Sequence, residues 1–80
     1  MKLLETEWDR FRRAVIPKDA SRIQLTETRR GFYAGAWALY SLLMTGFDGG
    51  SEETPADLAM MAKLDDEMRE FSERVKRGEA

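Results

Sequence analysis

Residues 31–44, GFYAGAWALYSLLM, carry no charge in a protein of 80 residues of which 35% are charged. Read at about 3.6 residues per turn, this stretch has apolar side chains on every side, which is typical of a helix buried in a core. A helix needs about 20 apolar residues to cross a bilayer, so the stretch is too short to span a membrane. We therefore predict that it forms the centre of a soluble helical fold.

A first amphipathic helix is predicted before this stretch, at about residues 2–15. Its apolar positions are separated by four, three and four residues, which places them on one face of a helix. They are Leu4, Trp8, Phe11 and Val15. The helix should end before Pro17, because proline disfavours the helical conformation of the preceding residue.

The second helix is predicted at about residues 22–45 and is the long central element. Ser21 and Gln24 have the spacing of a capping box at its start, with Asp19 as a rival cap. Gly46 is suited to the left-handed conformation that closes helices. One apolar stripe of this helix is the predicted partner of the third helix and comprises Leu25, Phe32, Ala36, Leu39 and Leu43.

The third helix is predicted at about residues 55–77. Thr54 is its predicted cap, Pro55 suits the first helical position, and Asp57 lies where the helix dipole favours negative charge. Gly78 should terminate it. Alternating spacings of three and four residues predict a seam for packing along another helix, formed by Met61, Leu64, Met68, Phe71 and Val75.

These elements predict an all-α fold in a single helical domain, residues 1–80. The second and third helices have similar lengths and a short connection, which predicts an antiparallel hairpin with the first helix packed across it. Two short partners cannot cover a helix that is apolar all round. We therefore predict that the three-helix protomer assembles as a homo-oligomer.

The composition excludes several classes of chemistry. The chain has no cysteine and no histidine, which removes disulfides, thiol and imidazole nucleophiles and nearly every zinc site. The acidic run at residues 65–67 reads as a solvated helix face, and residues 47–54 lack the alternating oxygen ligands of a calcium loop. We predict a protein that is not an enzyme and that has no catalytic residues, no metal site and no cofactor.

Charge is unevenly distributed along the chain. Residues 1–30 carry eight Lys or Arg against five Asp or Glu, whereas residues 31–80 carry five against ten. Two interpretations stay open: the two segments attract each other in the folded protein, or the basic part binds an anionic partner.

A second stripe of the central helix is the candidate binding site. Guanidinium groups and stacked rings suit a flat anionic ligand such as a nucleotide, because the rings stack on the base and arginine binds phosphate. The candidate ligand-binding residues are Arg29, Arg30, Tyr33, Trp37 and Tyr40, with Arg22 and Lys18 as possible additional charges. The alternative is that the aromatic side chains pack against the first helix and a second subunit.

A third side of the same helix carries Gly31 and Gly35, followed by Ala38. Glycine inside a helix costs about 1 kcal/mol relative to alanine, which indicates close approach of another helix or of a ligand. We predict that these three residues belong to the oligomer interface.

Two motifs of the chain are similar to those of a known group of proteins. They are Pro17-Lys18-Asp19-Ala20 and Glu27-Thr28-Arg29-Arg30-Gly31-Phe32-Tyr33-Ala34-Gly35-Ala36. With the leading tryptophan and the final acidic amphipathic helix, the chain resembles small uncharacterised proteins of tailed bacteriophages and prophages. The resemblance implies a phage accessory protein in the host bacterial cytoplasm, and by analogy a counter-defence role.

The leading hypothesis is therefore sequestration of a small anionic nucleotide-like ligand. The alternative is an inhibitor or scaffold that binds a host or phage protein through a helical surface. DNA binding ranks third, because the net charge is −2 and no helix is continuously basic. No membrane partner is expected.

Overall fold

The computed structural model describes residues 2–46 and 54–80, and this part of the chain contains three helices and no strand. The helices are α1 (Leu3–Val15), α2 (Arg22–Gly46) and α3 (Pro55–Lys76). The all-α prediction is confirmed, and each helix ends within one residue of its predicted boundary. The prediction that residues 47–54 do not form a calcium loop concerns a stretch that, apart from Thr54, lies outside the described residues.

The chain forms two compact units, Met1–Ser41 and Leu42–Ala80. In the first unit α1 and α2 run antiparallel, because Glu5 near the start of α1 lines one depression with Tyr33, whereas Arg12, farther along α1, lines another with Leu25, which is earlier in α2. The turn between them includes a hydrogen bond in which the Ala20 N–H donates to the Pro17 carbonyl oxygen, at 3.1 Å. This turn returns the chain along α1.

Three aromatic rings form the core of the first unit. The ring centroids of Trp8 and Phe11 are 6.0 Å apart, and each lies 5.5 Å from the centroid of Phe32 on α2. Trp8 is only 4% exposed. Residues three apart on a helix share a face, so both α1 rings reach the same point on α2. The sequence pattern predicted that Phe32 packs against the third helix, but the structure places its ring against α1.

The start of α2 is capped by Ser21. Its hydroxyl oxygen accepts a hydrogen bond from the Gln24 N–H at 3.0 Å, which satisfies one of the free backbone donors of the first turn. Ser21 rather than the rival Asp19 therefore holds the cap position.

The predicted left-handed closure at Gly46 is wrong. Gly46 is the last residue of α2, and Gly78 is the glycine with a positive φ among the described residues. A Cβ at Gly46 would lie 2.6 Å from the Met60 sulfur, within the second unit. Glycine at this position therefore allows close approach of the Met60 side chain rather than a special backbone conformation.

Both ends of α3 follow the predicted signals. The Thr54 hydroxyl oxygen accepts from the Asp57 N–H at 3.1 Å, and an Asp57 carboxylate oxygen accepts from the Thr54 N–H at 3.2 Å, which completes a capping box. At the other end Gly78 has φ 73°, and the Gly78 and Glu79 N–H groups donate to the carbonyl oxygens of Val75 and Arg74. This pair of bonds is a Schellman motif.

The helices in the described part of the chain include none that is both long enough and apolar enough to cross a membrane.

Candidate functional site

Three cationic side chains gather at one end of the α1–α2 pair. They are Lys2 at the start of α1 and Arg29 and Arg30 of α2. An open depression of about 430 Å³ is lined by these three residues together with Glu5 of α1 and Tyr33 of α2. We call these five residues the basic cluster. All of them belong to the first unit, so the antiparallel pairing of α1 with α2 is what brings them together.

Tyr33 is the aromatic centre of the basic cluster. Its ring meets the Phe32 ring edge-on, with centroids 5.7 Å apart and an interplanar angle of 73°. Because Phe32 is packed against Trp8 and Phe11, this contact links Tyr33 to the aromatic core. The Arg29 guanidinium carbon lies 5.8 Å from the centroid of the Tyr33 ring, a cation–π contact worth about 0.5–1 kcal/mol at an exposed site.

The electrostatics of the basic cluster favour an anion. Lys2, Arg29 and Arg30 oppose a single carboxylate, Glu5, among the lining residues. Arg30 also faces Glu27, but its Nη1 lies 3.8 Å from the Glu27 Oε1 and both side chains are largely exposed. Such a pair contributes at most about 1 kcal/mol, so a phosphate competes with it at little cost.

Trp37 and Tyr40 form a separate aromatic platform farther along α2. Their ring centroids are 5.7 Å apart at an interplanar angle of 29°, and the side chains are 68% and 54% exposed. Neither residue lines the depression of the basic cluster. The structure therefore brings Arg29, Arg30 and Tyr33 of the predicted site together and leaves the other two as a neighbouring stacked pair.

Sequence reasoning missed Lys2 and Glu5 and misplaced one lysine. Lys18, predicted to add charge to the site, instead lines a different depression with Arg12 and Arg13 at the far end of α1. The turn at residues 17–20 was the signal that could have predicted the place of Lys2 and Glu5. A chain that reverses direction there brings the start of α1 beside the middle of α2.

The glycines of the predicted oligomer interface face open space. A Cβ added at Gly31 or Gly35 would meet no atom of the described chain within 4 Å, apart from its own helix backbone and chain neighbours. Ala38 is exposed as well. Any close approach to this side of α2 therefore comes from outside the described residues.

The side chains of residues 2–46 and 54–80 include no group of three or more carboxylates placed to hold a metal ion. Cationic side chains and aromatic faces are the chemistry that the site offers.

Comparison with known proteins produced no match: no family model, no curated protein and no solved structure is significantly similar to the chain. The similarity to phage proteins rests on the sequence motifs, the leading tryptophan and the final acidic helix, and it stays a prediction.

Proposed function

We propose that this protein binds a small anionic, nucleotide-like ligand at the basic cluster and does so without catalysis. The observation that carries the proposal is the arrangement of Lys2, Arg29 and Arg30 around the Tyr33 ring. The cations bind phosphate oxygens, and the ring stacks on a base. Trp37 and Tyr40 extend the same helix face and offer a second stacking surface for a ligand with more than one base.

The biological role that we attach to this binding is sequestration. The chain has no cysteine or histidine to supply a thiol or imidazole nucleophile, so we propose that it acts on a nucleotide signal by holding it. The motif resemblance to phage proteins suggests a counter-defence function in the host bacterial cytoplasm. This part of the proposal rests on the motifs and on analogy.

A thermal-shift screen tests the binding proposal directly. At a hundredfold excess over Kd a ligand stabilises the folded protein by about 2.7 kcal/mol, which for a chain of this size raises the melting temperature by about ten degrees or more. We expect at least one clear shift among mono-, di- and cyclic oligonucleotides, with inorganic phosphate as the control for charge alone. A flat response to every nucleotide would reject the proposal.

A protein partner is the second candidate, and exposed apolar side chains on α3 favour it. Met61, Met68, Phe71 and Val75 of the predicted seam are 47–55% exposed. Acidic side chains surround them, so this face would suit the role of an inhibitor or scaffold bound to a host or phage protein. Pull-down from host lysate with wild type and with the Asp65, Asp66 and Glu70 to Lys variant separates this candidate from ligand sequestration.

We also propose that α2 and α3 form an antiparallel hairpin that leaves the seam of α3 largely exposed, and that the protomers assemble as a homo-oligomer. The close approach of Met60 to Gly46 supports the hairpin at its turn. Exposed apolar side chains on α2 and α3 support assembly, since a small chain has few other ways to cover them. Gly31, Gly35 and Ala38 are the proposed contact on α2.

The Gly35→Leu variant tests the α2 contact. Since no described residue occupies the space beside Gly35, leucine should fit within one chain and should improve helix propensity by about 1 kcal/mol. We expect wild type to have at least twice the chain mass of 9.2 kDa by light scattering, and Gly35→Leu to lose that mass. Gly35→Ala, with a smaller side chain, is the matched control and should remain assembled. An assembled and more stable Gly35→Leu protein would show that this glycine makes no contact between chains.

A further inference from the structure

The seam of α3 has the repeat of a two-helix coiled coil. Met61, Leu64, Met68, Phe71 and Val75 are separated by three, four, three and four residues, which keeps them on one side of the helix over two heptads. Leu64 is half-buried, and the other four side chains keep about half of their surface exposed. Most of the seam therefore lacks a partner among the described residues.

Charged residues border the seam on one side, and three of them, Glu67, Glu70 and Arg74, form no salt bridge with any described residue. Glu67 and Arg74 line a groove of about 720 Å³ on α3 together with Met68, Phe71 and Val75. They are seven residues apart, which is about 10.5 Å along a helix and too far for them to pair with each other. Neither side chain forms a salt bridge with any described residue.

Several neighbouring charges are paired within the chain. Arg69 Nε donates to Asp65 at 2.8 Å, and this hydrogen bond and charge raise the pKa of the Arg69 guanidinium. Lys76 pairs with Glu73 at 3.3 Å. Glu67 and Arg74 thus stand beside the exposed seam with their charges available to another molecule.

We propose that α3 pairs antiparallel with α3 of a second copy of this chain, with Glu67 of each copy against Arg74 of the other. This inference rests on the proposed homo-oligomer and not on ligand binding. The symmetry axis of the pair lies near residue 70. Packing Met68 against Phe71 of the other copy then also places Leu64 against Val75, and symmetry repeats each contact.

The opposite orientation leaves these charges unsatisfied. In a parallel pair, a residue on one side of the seam of the first helix lies opposite a residue on the other side of the seam of the second helix. Glu67 would therefore face Ser72 of the other copy and would gain no cation. In the antiparallel pair Glu67 meets Arg74 twice, and Asp65 faces the neutral Ser72. The self-complementary charge pattern therefore selects a second copy as the occupant of the seam.

Charge reversal tests both the interface and the orientation. Glu67→Arg creates two Arg–Arg contacts and Arg74→Glu creates two Glu–Glu contacts, so each variant alone should raise the dimer dissociation constant by at least about tenfold. An equimolar mixture of the two variants should recover wild-type affinity, because one chain then supplies both arginines and the other both glutamates. Sedimentation over a concentration series, with an affinity tag on one variant, measures the dissociation constants and identifies the heterodimer.

Asp66→Arg is the matched control, since it makes the same change of charge on the side of α3 away from the seam. It should leave the dissociation constant unchanged. A monomeric wild type would overturn this proposal and the homo-oligomer together. An oligomer that survives Glu67→Arg, or a mixture that fails to recover, would overturn the α3 pairing alone. Equal weakening by Asp66→Arg would also overturn it, because the effect would then come from net charge.

Discussion

Trp8→Ala should remove most of the free energy that stabilises the folded protein. Trp8 is the one buried large apolar residue among the described residues, and it contacts both other rings of the aromatic core. Replacing a buried tryptophan by alanine costs about 3–5 kcal/mol. Small domains have a total stability of roughly 5–15 kcal/mol, with chains of this length at the lower end.

Circular dichroism during thermal and urea denaturation measures this effect. Val15→Ala on the same helix is the control, because Val15 is 61% exposed and alanine is the better helix former. We expect Val15→Ala to melt within a few degrees of wild type. A Trp8→Ala protein with wild-type stability would show that the contact of α1 with α2 contributes little to the fold.

Removing two guanidinium groups should abolish ligand binding without loss of the fold. A hydrogen bond to a charged group contributes about 1.5–3 kcal/mol, so Arg29→Gln and Arg30→Gln together should weaken binding by at least a hundredfold. Both side chains are exposed, and the ion pair of Arg30 with Glu27 is weak. The melting temperature without ligand should therefore stay close to wild type. Calorimetric titration with a nucleotide that shifts the wild type measures the loss.

The control for this double variant is Arg12→Gln with Arg13→Gln, which removes the same charge from the far end of α1. Binding should persist in that protein. Tyr33→Ala is less suitable as a test, since Tyr33 contacts the Phe32 ring and its loss should lower stability without any ligand. Equal loss of binding in both double variants would indicate attraction to net charge rather than a site.

The helices and their ends could be predicted because the signals are local. A capping hydroxyl at Ser21 or Thr54 acts on a backbone N–H three residues away, and a glycine at position 78 acts within one turn. The grouping of Arg29, Arg30 and Tyr33 was equally readable, because residues one and four apart on a helix are neighbours. Trp37 belongs to the same stripe, but stripe membership did not show that its ring lies beyond the depression.

Contacts between residues distant in the chain had to come from the tertiary structure. A central helix that is apolar on every side offers no pattern that says which face meets which partner, so only the fold assigned Phe32 to α1. The same packing brought Lys2 and Glu5 to the basic cluster. Gly46 shows the reverse case, because its sequence position suggested a left-handed end whereas the structure shows only the end of the Met60 side chain lying close to it. Periodicity specifies which residues share a face, and the free energy of packing distant segments decides what that face contacts.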